Sequence, residues 1–394
     1  MNHDAWRAAL ADVPLPAAVV DVGAFDRNVA RARAAVADHR GEGGAPVRVR
    51  VAHKSLRCLD LLRRALDGLG PVASGVLAFQ AAEVRALAAA GFDDLLLAYP
   101  PARRWEGEAL GEAARYARVR VAIDDDRQLD GLDPSVEICV DADASLRIAG
   151  QHLGARRSPI RTPEAALRVA EAARARGHRV TAVMIYESAV AGLPDHDPRW
   201  WMRPPLRWVK AQSAAAAAEA RSAIVRALRA AGHPIDVVNG GGTGSLRVTP
   251  GDGSVSEVAV GSAFYAPHTF DGFDGLSLEP ALFLVMPVCR VPGPGWVTVS
   301  GPGVVATGAA GAHRWPVVVA PAGLAPIADE GFGEVQTPLR VPPGCALTIG
   351  DPVVLRPAKA GEPLDRFREV WPLFDGRVGA PLPTLRVADL MPPW

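Results

Sequence analysis

Two short runs in this sequence combine residue types that could do chemistry. The first is VRVRVAHKS, residues 47–55. Side chains alternate along a strand, so Arg48, Arg50 and Lys54 share one face while Val47, Val49 and Val51 share the other. With the valines packed against helices, Lys54 points toward the open end of the strand. A lysine held inside a fold is poorly solvated, its pKa can fall, and its amine becomes a nucleophile for a carbonyl. The plain alternative is a strand-end lysine reaching water. The second run is Asn239-Gly240-Gly241-Gly242-Thr243-Gly244. Its glycines leave backbone N–H groups open to an approaching anion, and Thr243 adds a hydroxyl donor. Gly261-Ser262 would complete the same cradle, although a tight turn also explains a bare glycine run.

Other candidates carry less. His196, between Asp195 and Asp197, offers ligand-type side chains in what reads as a solvated loop. Asp124-Asp125-Asp126 suits a helix start, where carboxylates meet the positive end of the dipole. Glu334 and Gln336 could face the site from the C-terminal part of the chain. Cys58, Cys139, Cys289 and Cys345 lie far apart with no CxxC pair, the pattern of reduced thiols in a cytoplasmic protein.

The elements that must position these groups follow from alternation. Short β-branched runs begin at Val47, Pro71, Asp94, Val119, Val136, Val180, Ile235 and Glu257, separated by helical stretches rich in alanine and arginine. Strands alternating with helices pair in parallel, and eight of them predict a closed (β/α)8 barrel; an open doubly wound sheet is the alternative. Barrel phosphate sites sit in the loops after strands seven and eight, where the GGGTG and Gly261-Ser262 runs fall. Thr162-Pro163-Glu164 reads as an N-cap with proline at the first helical position, and Gly177 closes that helix. Ser55 is expected to cap a helix running to about Asp67. A strand at Ala17–Val22, followed by a helix at about Phe25–His39, is one too many for the barrel. The segment Pro194–Trp208, with Trp200, Trp201 and Trp208, reads as a long loop after the sixth strand, either a lid or an interface. After Leu276, short apolar runs between Pro/Gly turns predict an all-β region.

Composition excludes some partners. The 394 residues carry 43 Lys plus Arg against 43 Asp plus Glu, a zero net charge that argues against nucleic acid or an anionic membrane as the partner. No apolar stretch reaches the roughly 18–20 residues of a membrane span, and Met1–Ala11 has no signal-like apolar core.

At Lys54 and the GGGTG loop the sequence resembles a family: the D-threonine aldolase and D-serine dehydratase group of fold-type III pyridoxal phosphate (PLP) enzymes, relatives of alanine racemase. PAAVVDVGAFDRNVARA, RVAHKS, AFQAAEVRALAAAGFDDLLLAYP, RSPI, VMIYE, VNGGGTG and EVAVGSAFY carry the resemblance in family order. It implies an α/β fold, a (β/α)8 TIM-type barrel followed by a C-terminal all-β domain, with residues 24–272 holding PLP and residues 1–23 plus 273–394 forming the β-domain. It implies a homodimer acting on a small amino acid. Lys54 is then the Schiff-base lysine. Arg157 lies against the pyridoxal ring, Tyr186 takes the family's tyrosine position, and Asn239, Gly241, Gly242, Thr243, Gly261, Ser262 and Tyr265 bind the cofactor.

Three departures qualify it. Tyr186-Glu187 is followed by Ser188-Ala189 where the aldolases have a histidine. The β-domain's metal-binding pair falls on Pro357–Glu362, which offers no ligand pair, so no divalent metal is expected and Lys359 is expected to supply the charge instead. The arginine that contacts the pyridine nitrogen in racemases falls at Ala259, against racemase chemistry. The reading is a lyase cleaving a β-hydroxy D-amino acid. A dehydratase releasing ammonia, a racemase, a non-catalytic PLP carrier and a metal-free sugar-phosphate barrel enzyme are the alternatives.

Overall fold

The structure, a computed structural model, describes residues 1–390 apart from 149 and 198. Residue 198 of the expected loop and the last four residues of the C-terminal region therefore lie outside the described residues. Strand β1 is Ala17–Asp21, and β2 to β6 are Arg48–Ala52, Ala73–Ala78, Asp94–Leu97, Arg118–Ile123 and Glu137–Asp141. A hairpin of β7 (Leu146–Ile148) and β8 (Gln151–Leu153) follows, then β9 (Val180–Ile185), β10 (Val237–Gly240) and β11 (Glu257–Val260). Strands β2, β3, β4, β5, β6, β9, β10 and β11 close into one barrel, and every neighbouring pair is parallel. These are the eight strands expected from the sequence.

Alternation builds the barrel in layers. Outward residues such as Val49, Val51, Ile138, Val140, Val183 and Ile185 join the main core under the helices. Inward residues form three levels. At the N-terminal ends lies a floor of charged side chains around Arg50, Asp94, Arg120 and Glu257. Above it Leu96, Ala122, Cys139, Ala182, Met184 and Val237 make a dry plug. At the C-terminal ends the mouth opens.

The ninth strand belongs to the other sheet. β1 runs antiparallel to Leu282–Gly293 and parallel to Glu369–Phe374, inside a ten-stranded sheet otherwise built from the chain after the barrel. Asp21 ends it and caps the next helix, Val22–Ala34, accepting from the Ala24 N–H at 2.8 Å. Thr162 caps Pro163–Ala175 as expected.

Two expectations need correction. Ser55 caps nothing: it closes a 3-10 turn, His53–Ser55, and the helix starts only at Leu59. Arg57 lies between them with φ +50, a left-handed residue that interrupts any helix. The expected loop 194–208 ends early, because Trp200–Met202 is a 3-10 turn and a helix runs from Arg203 to Ala230. Pro204 and Pro205 are tolerated there because first-turn N–H groups have no intrahelical acceptor. Trp208 is thus helical. No helix among the described residues is long and apolar enough to cross a membrane.

Candidate active site

The barrel mouth holds a cavity of about 220 Å3. Lys54, Asp141, Arg157, Tyr186, Thr243 and Ser262 all line it, together with Asn239, Gly241, Gly242 and Gly261. Only three lysines occur in the sequence. Lys210 is 2.7 Å from Asp195 and Lys359 is 3.0 Å from Glu362, whereas the Lys54 amine has no hydrogen-bond or ionic partner among the described residues. Its backbone is held firmly. The preceding His53 is buried with Nδ1 2.5 Å from Glu83, and the other Glu83 oxygen accepts from the Phe79 N–H at 2.7 Å. On the far side, a Cβ at Gly361 would come 2.0 Å from the Lys54 carbonyl oxygen, so only glycine lets the C-terminal region lie this close.

Tyr186 comes two residues after inward-facing Met184, which aims it into the mouth. Arg157 has no carboxylate partner among the described residues; its guanidinium lies 5.5 Å over the Tyr186 ring and 5.9 Å over Tyr99. Such contacts hold a cation in place while leaving its N–H donors free.

The glycine-rich loop is supported from beneath by a buried ion pair that the sequence did not signal. Arg221 reaches Glu187 at 2.5 Å and Asp252 at 2.6 Å. The second Glu187 oxygen accepts the Gly241 N–H at 2.6 Å, and Gly242 donates to Ser245 Oγ at 3.0 Å. Those two amides were expected to face an anion; they are committed within the protein. The remaining donors are the Thr243 and Ser262 amides, each opening a short helical turn where no intrahelical acceptor exists. Their hydroxyls stand beside them. Thr243 Oγ1 accepts from the Ala263 N–H at 3.0 Å, keeping its own proton to donate, and Ser262 Oγ is 3.2 Å from Ser55 Oγ. A Cβ at Gly242 would press Ala191 at 3.1 Å and the Tyr186 ring at 3.4 Å, and one at Gly261 would meet the Ala52 carbonyl at 2.7 Å.

Asn239 lines the mouth but gives its amide N–H to Glu257 at 2.8 Å, tying the loop to the floor. Two other expected residues are not brought to the cavity. Tyr265 is fully buried, its hydroxyl donating to the Leu56 carbonyl at 2.9 Å between Phe25 and the barrel. Lys359 donates to Thr307 Oγ1 at 2.8 Å beside Glu362, so its charge is answered locally. Glu334 and Gln336 are exposed and away from the lining. His196 pairs with Asp274 at 2.5 Å and His268 bonds the Trp315 carbonyl at 2.7 Å. Among the described residues no group of three His, Cys, Asp or Glu is placed to hold a metal.

Asp141 is a cavity residue that the sequence did not signal. It is two residues beyond inward-facing Cys139, so alternation aims its carboxyl into the mouth. Ser158 Oγ donates to the Asp141 backbone carbonyl at 2.8 Å and not to its carboxyl, and accepts from the Ile160 N–H. Burial, and then the nearby Asp124 carboxylate, push the Asp141 pKa up to about 7.

Known proteins share this barrel-plus-sheet architecture. No family model matches the chain. A D-threonine aldolase from Arthrobacter sp is 27% identical over 292 residues, 72% of this chain and 70% of that protein. The chain is thus similar in sequence to a D-threonine aldolase and shares the fold of alanine racemase-like enzymes. Solved structures agree in fold. The D-threonine aldolase of Filomicrobium marinum superposes with a TM-score of 0.78 at 23% identity, over 95% of this chain and 96% of that one. D-threo-3-hydroxyaspartate dehydratase from Delftia sp. HT23 gives 0.74 at 20%, over 96% and 99%. An alanine racemase from Clostridium difficile 630 gives 0.65 at 12%, over 94% and 98%.

Proposed function

We propose that the protein is a PLP-dependent lyase that cleaves a β-hydroxy D-amino acid into glycine and an aldehyde. The observation that carries this reading is Lys54: the one lysine without a partner, at the barrel mouth, within the same cavity as an anion cradle. Those residues fit pyridoxal phosphate, a phosphorylated aldehyde. Lys54 would hold its carbonyl carbon covalently, and the Thr243 and Ser262 amides and hydroxyls would hold its phosphate. When bound, this cofactor withdraws electrons from the Cα of an amino acid joined to it.

The chain's own residues supply the rest. Arg157 brings a fixed positive charge to the mouth for a phenolic or carboxylate oxygen. Tyr186 forms one wall and presents a hydroxyl. Ala259 lines the same cavity without a polar atom, which supports lyase over racemase chemistry because no cation faces the cofactor from that strand. Relatives named aldolase and dehydratase support bond cleavage at Cα–Cβ or loss of the β-hydroxyl, and the lean is to the aldolase. The same reading takes the enzyme as a cytoplasmic homodimer that turns over without a divalent metal, since Pro357–Glu362 offers no ligand pair.

The test is direct. Purified protein supplied with PLP should absorb in the visible, and a panel of D- and L-β-hydroxy amino acids should release aldehyde from the D-series only. Release of 2-oxo acid and ammonia instead would make it a dehydratase. A colourless protein with no cofactor uptake would end the reading.

A further inference from the structure

Among the ionisable groups of the mouth that the reading above leaves without a role, Asp141 stands out. Asp141 closes β6, and β6 pairs with β9 so that Asp141 stands opposite Met184. Tyr186 therefore rises two residues beyond Asp141's partner, and both side chains line the cavity that Lys54 enters. The groups around Asp141 are accounted for. Asp143 pairs with Arg161 and accepts the Ser145 N–H. Asp124 accepts from Gln128 Nε2 at 2.7 Å. Arg157 is engaged by the Tyr99 and Tyr186 rings. The Asp141 carboxyl alone makes no hydrogen bond and no ion pair among the described residues. A carboxyl kept unpartnered in a cavity, at an energetic cost to the fold, is a group available to a ligand.

We infer that Asp141 is a catalytic residue, the carboxylate that accepts the proton of the substrate's β-hydroxyl as the Cα–Cβ bond breaks. This rests on the lyase reading above. In the step, the O–H bond breaks and its proton passes to the Asp141 carboxylate. The O–H electrons form the second carbon–oxygen bond of the aldehyde, and the Cα–Cβ pair is left on Cα. Protonation of Cα then gives glycine, and Asp141 returns its proton to solvent. A carboxyl that titrates near 7 is matched to this task, being half ionised at neutral pH yet a far better base than an ordinary aspartate. Asp124 and Asp143 favour its neutral form and Arg157 its charged form. Lys54, Tyr99 and Tyr186 are the other ionisable groups of the mouth, and none of them bonds to it.

The test compares the parent with Asp141→Asn and Asp141→Ser, each loaded with PLP. D-Threonine serves as the probe carrying a hydroxyl and glycine as the probe without one. Cleavage of D-threonine should fall by about 10²–10⁴-fold, while exchange of the glycine Cα hydrogen for deuterium should stay within a few-fold. In the parent, kcat/KM for cleavage should rise with pH through about 7, and that limb should vanish in both variants. Infrared titration of the protein without cofactor should show a protonated carboxyl that ionises in the same range, absent from the variants. Equal loss of cleavage and exchange, near-parental cleavage, a profile that falls as pH rises through that range, or no such carboxyl band would overturn the assignment. Failure of the parent to take up PLP would instead strike the lyase reading, and the infrared band would still report on Asp141.

Discussion

The floor and the mouth of this barrel are both lined with ionisable side chains, and they treat them in opposite ways. On the floor every charge is answered. Arg50 holds Glu257 through two bonds of 2.5 and 3.0 Å and Asp94 at 2.7 Å, and Arg120 reaches Asp94 at 2.9 Å. Arg118, Arg179 and Thr181 converge on Glu137. Burial works against the Asp94 charge, yet Arg50 and Arg120 outweigh it and hold its carboxyl below the usual range. Gly75, with φ +120, leaves room for this: a Cβ there would lie 2.9 Å from the Arg50 guanidinium. In the mouth, beyond the apolar plug, Lys54, Asp141 and Arg157 have no ionic partner among the described residues. Paired buried charges make a rigid base, because removing either partner strands the other. Unpaired ones at the C-terminal ends of barrel strands are where chemistry resides.

Four substitutions would break or sharpen that contrast. The largest effect should come from the floor: Arg50→Met strands Glu257 and Asp94 and should cost about 3–5 kcal/mol in urea unfolding. A loss below about 1 kcal/mol would mean the network is not coupled. In the mouth the sign should reverse. Asp141 has a folded pKa raised to about 7, so its contribution to stability is complete below the unfolded carboxylate range. That contribution is lost as pH rises from about 4 to about 7 and the buried group must ionise. Asp141→Asn should therefore stabilise the protein at pH 8, by up to about 4 kcal/mol, with no gain at pH 4; thermal melts at both values check it. Thr243→Ala removes one donor to a charged phosphate and should weaken cofactor retention by about 1–2 kcal/mol, read as the dissociation constant for PLP. Smallest of all, Lys359→Met opens only a half-exposed ion pair and should change stability by less than about 1 kcal/mol. Its turnover should match the parent's, whereas a large drop would return Lys359 to the site.

The same contrast explains what the sequence could tell. The barrel was legible because short apolar strand runs alternate with mostly helical sequence, a local pattern that yields eight strands. Lys54 was legible because it directly follows the strand VRVRVA at the barrel's open end, although a 3-10 turn and not strand alternation sets its direction, and the glycine-rich loop because glycines cluster. What was hidden depends on partners distant in sequence. Glu187 and Arg221 are 34 residues apart, and nothing local says they pair beneath the Gly241 amide. Tyr265 and Lys359 were misplaced for the same reason, since the Leu56 carbonyl that takes the tyrosine and the Thr307 hydroxyl that takes the lysine lie far along the chain. Asp141 carries no local mark either: an aspartate at a strand end is ordinary until the cavity around it is known.

The central claim, that the unpaired amine of the mouth is the one that binds PLP, is tested most directly by borohydride reduction of the PLP-loaded protein followed by peptide mapping. With only Lys54, Lys210 and Lys359 available, the result has few possible forms. The pyridoxyl group should be found on the peptide containing His53-Lys54-Ser55 and on no other. Its recovery on Lys210 or Lys359, or no labelled peptide from a protein that nonetheless turns over its substrate, would contradict the account.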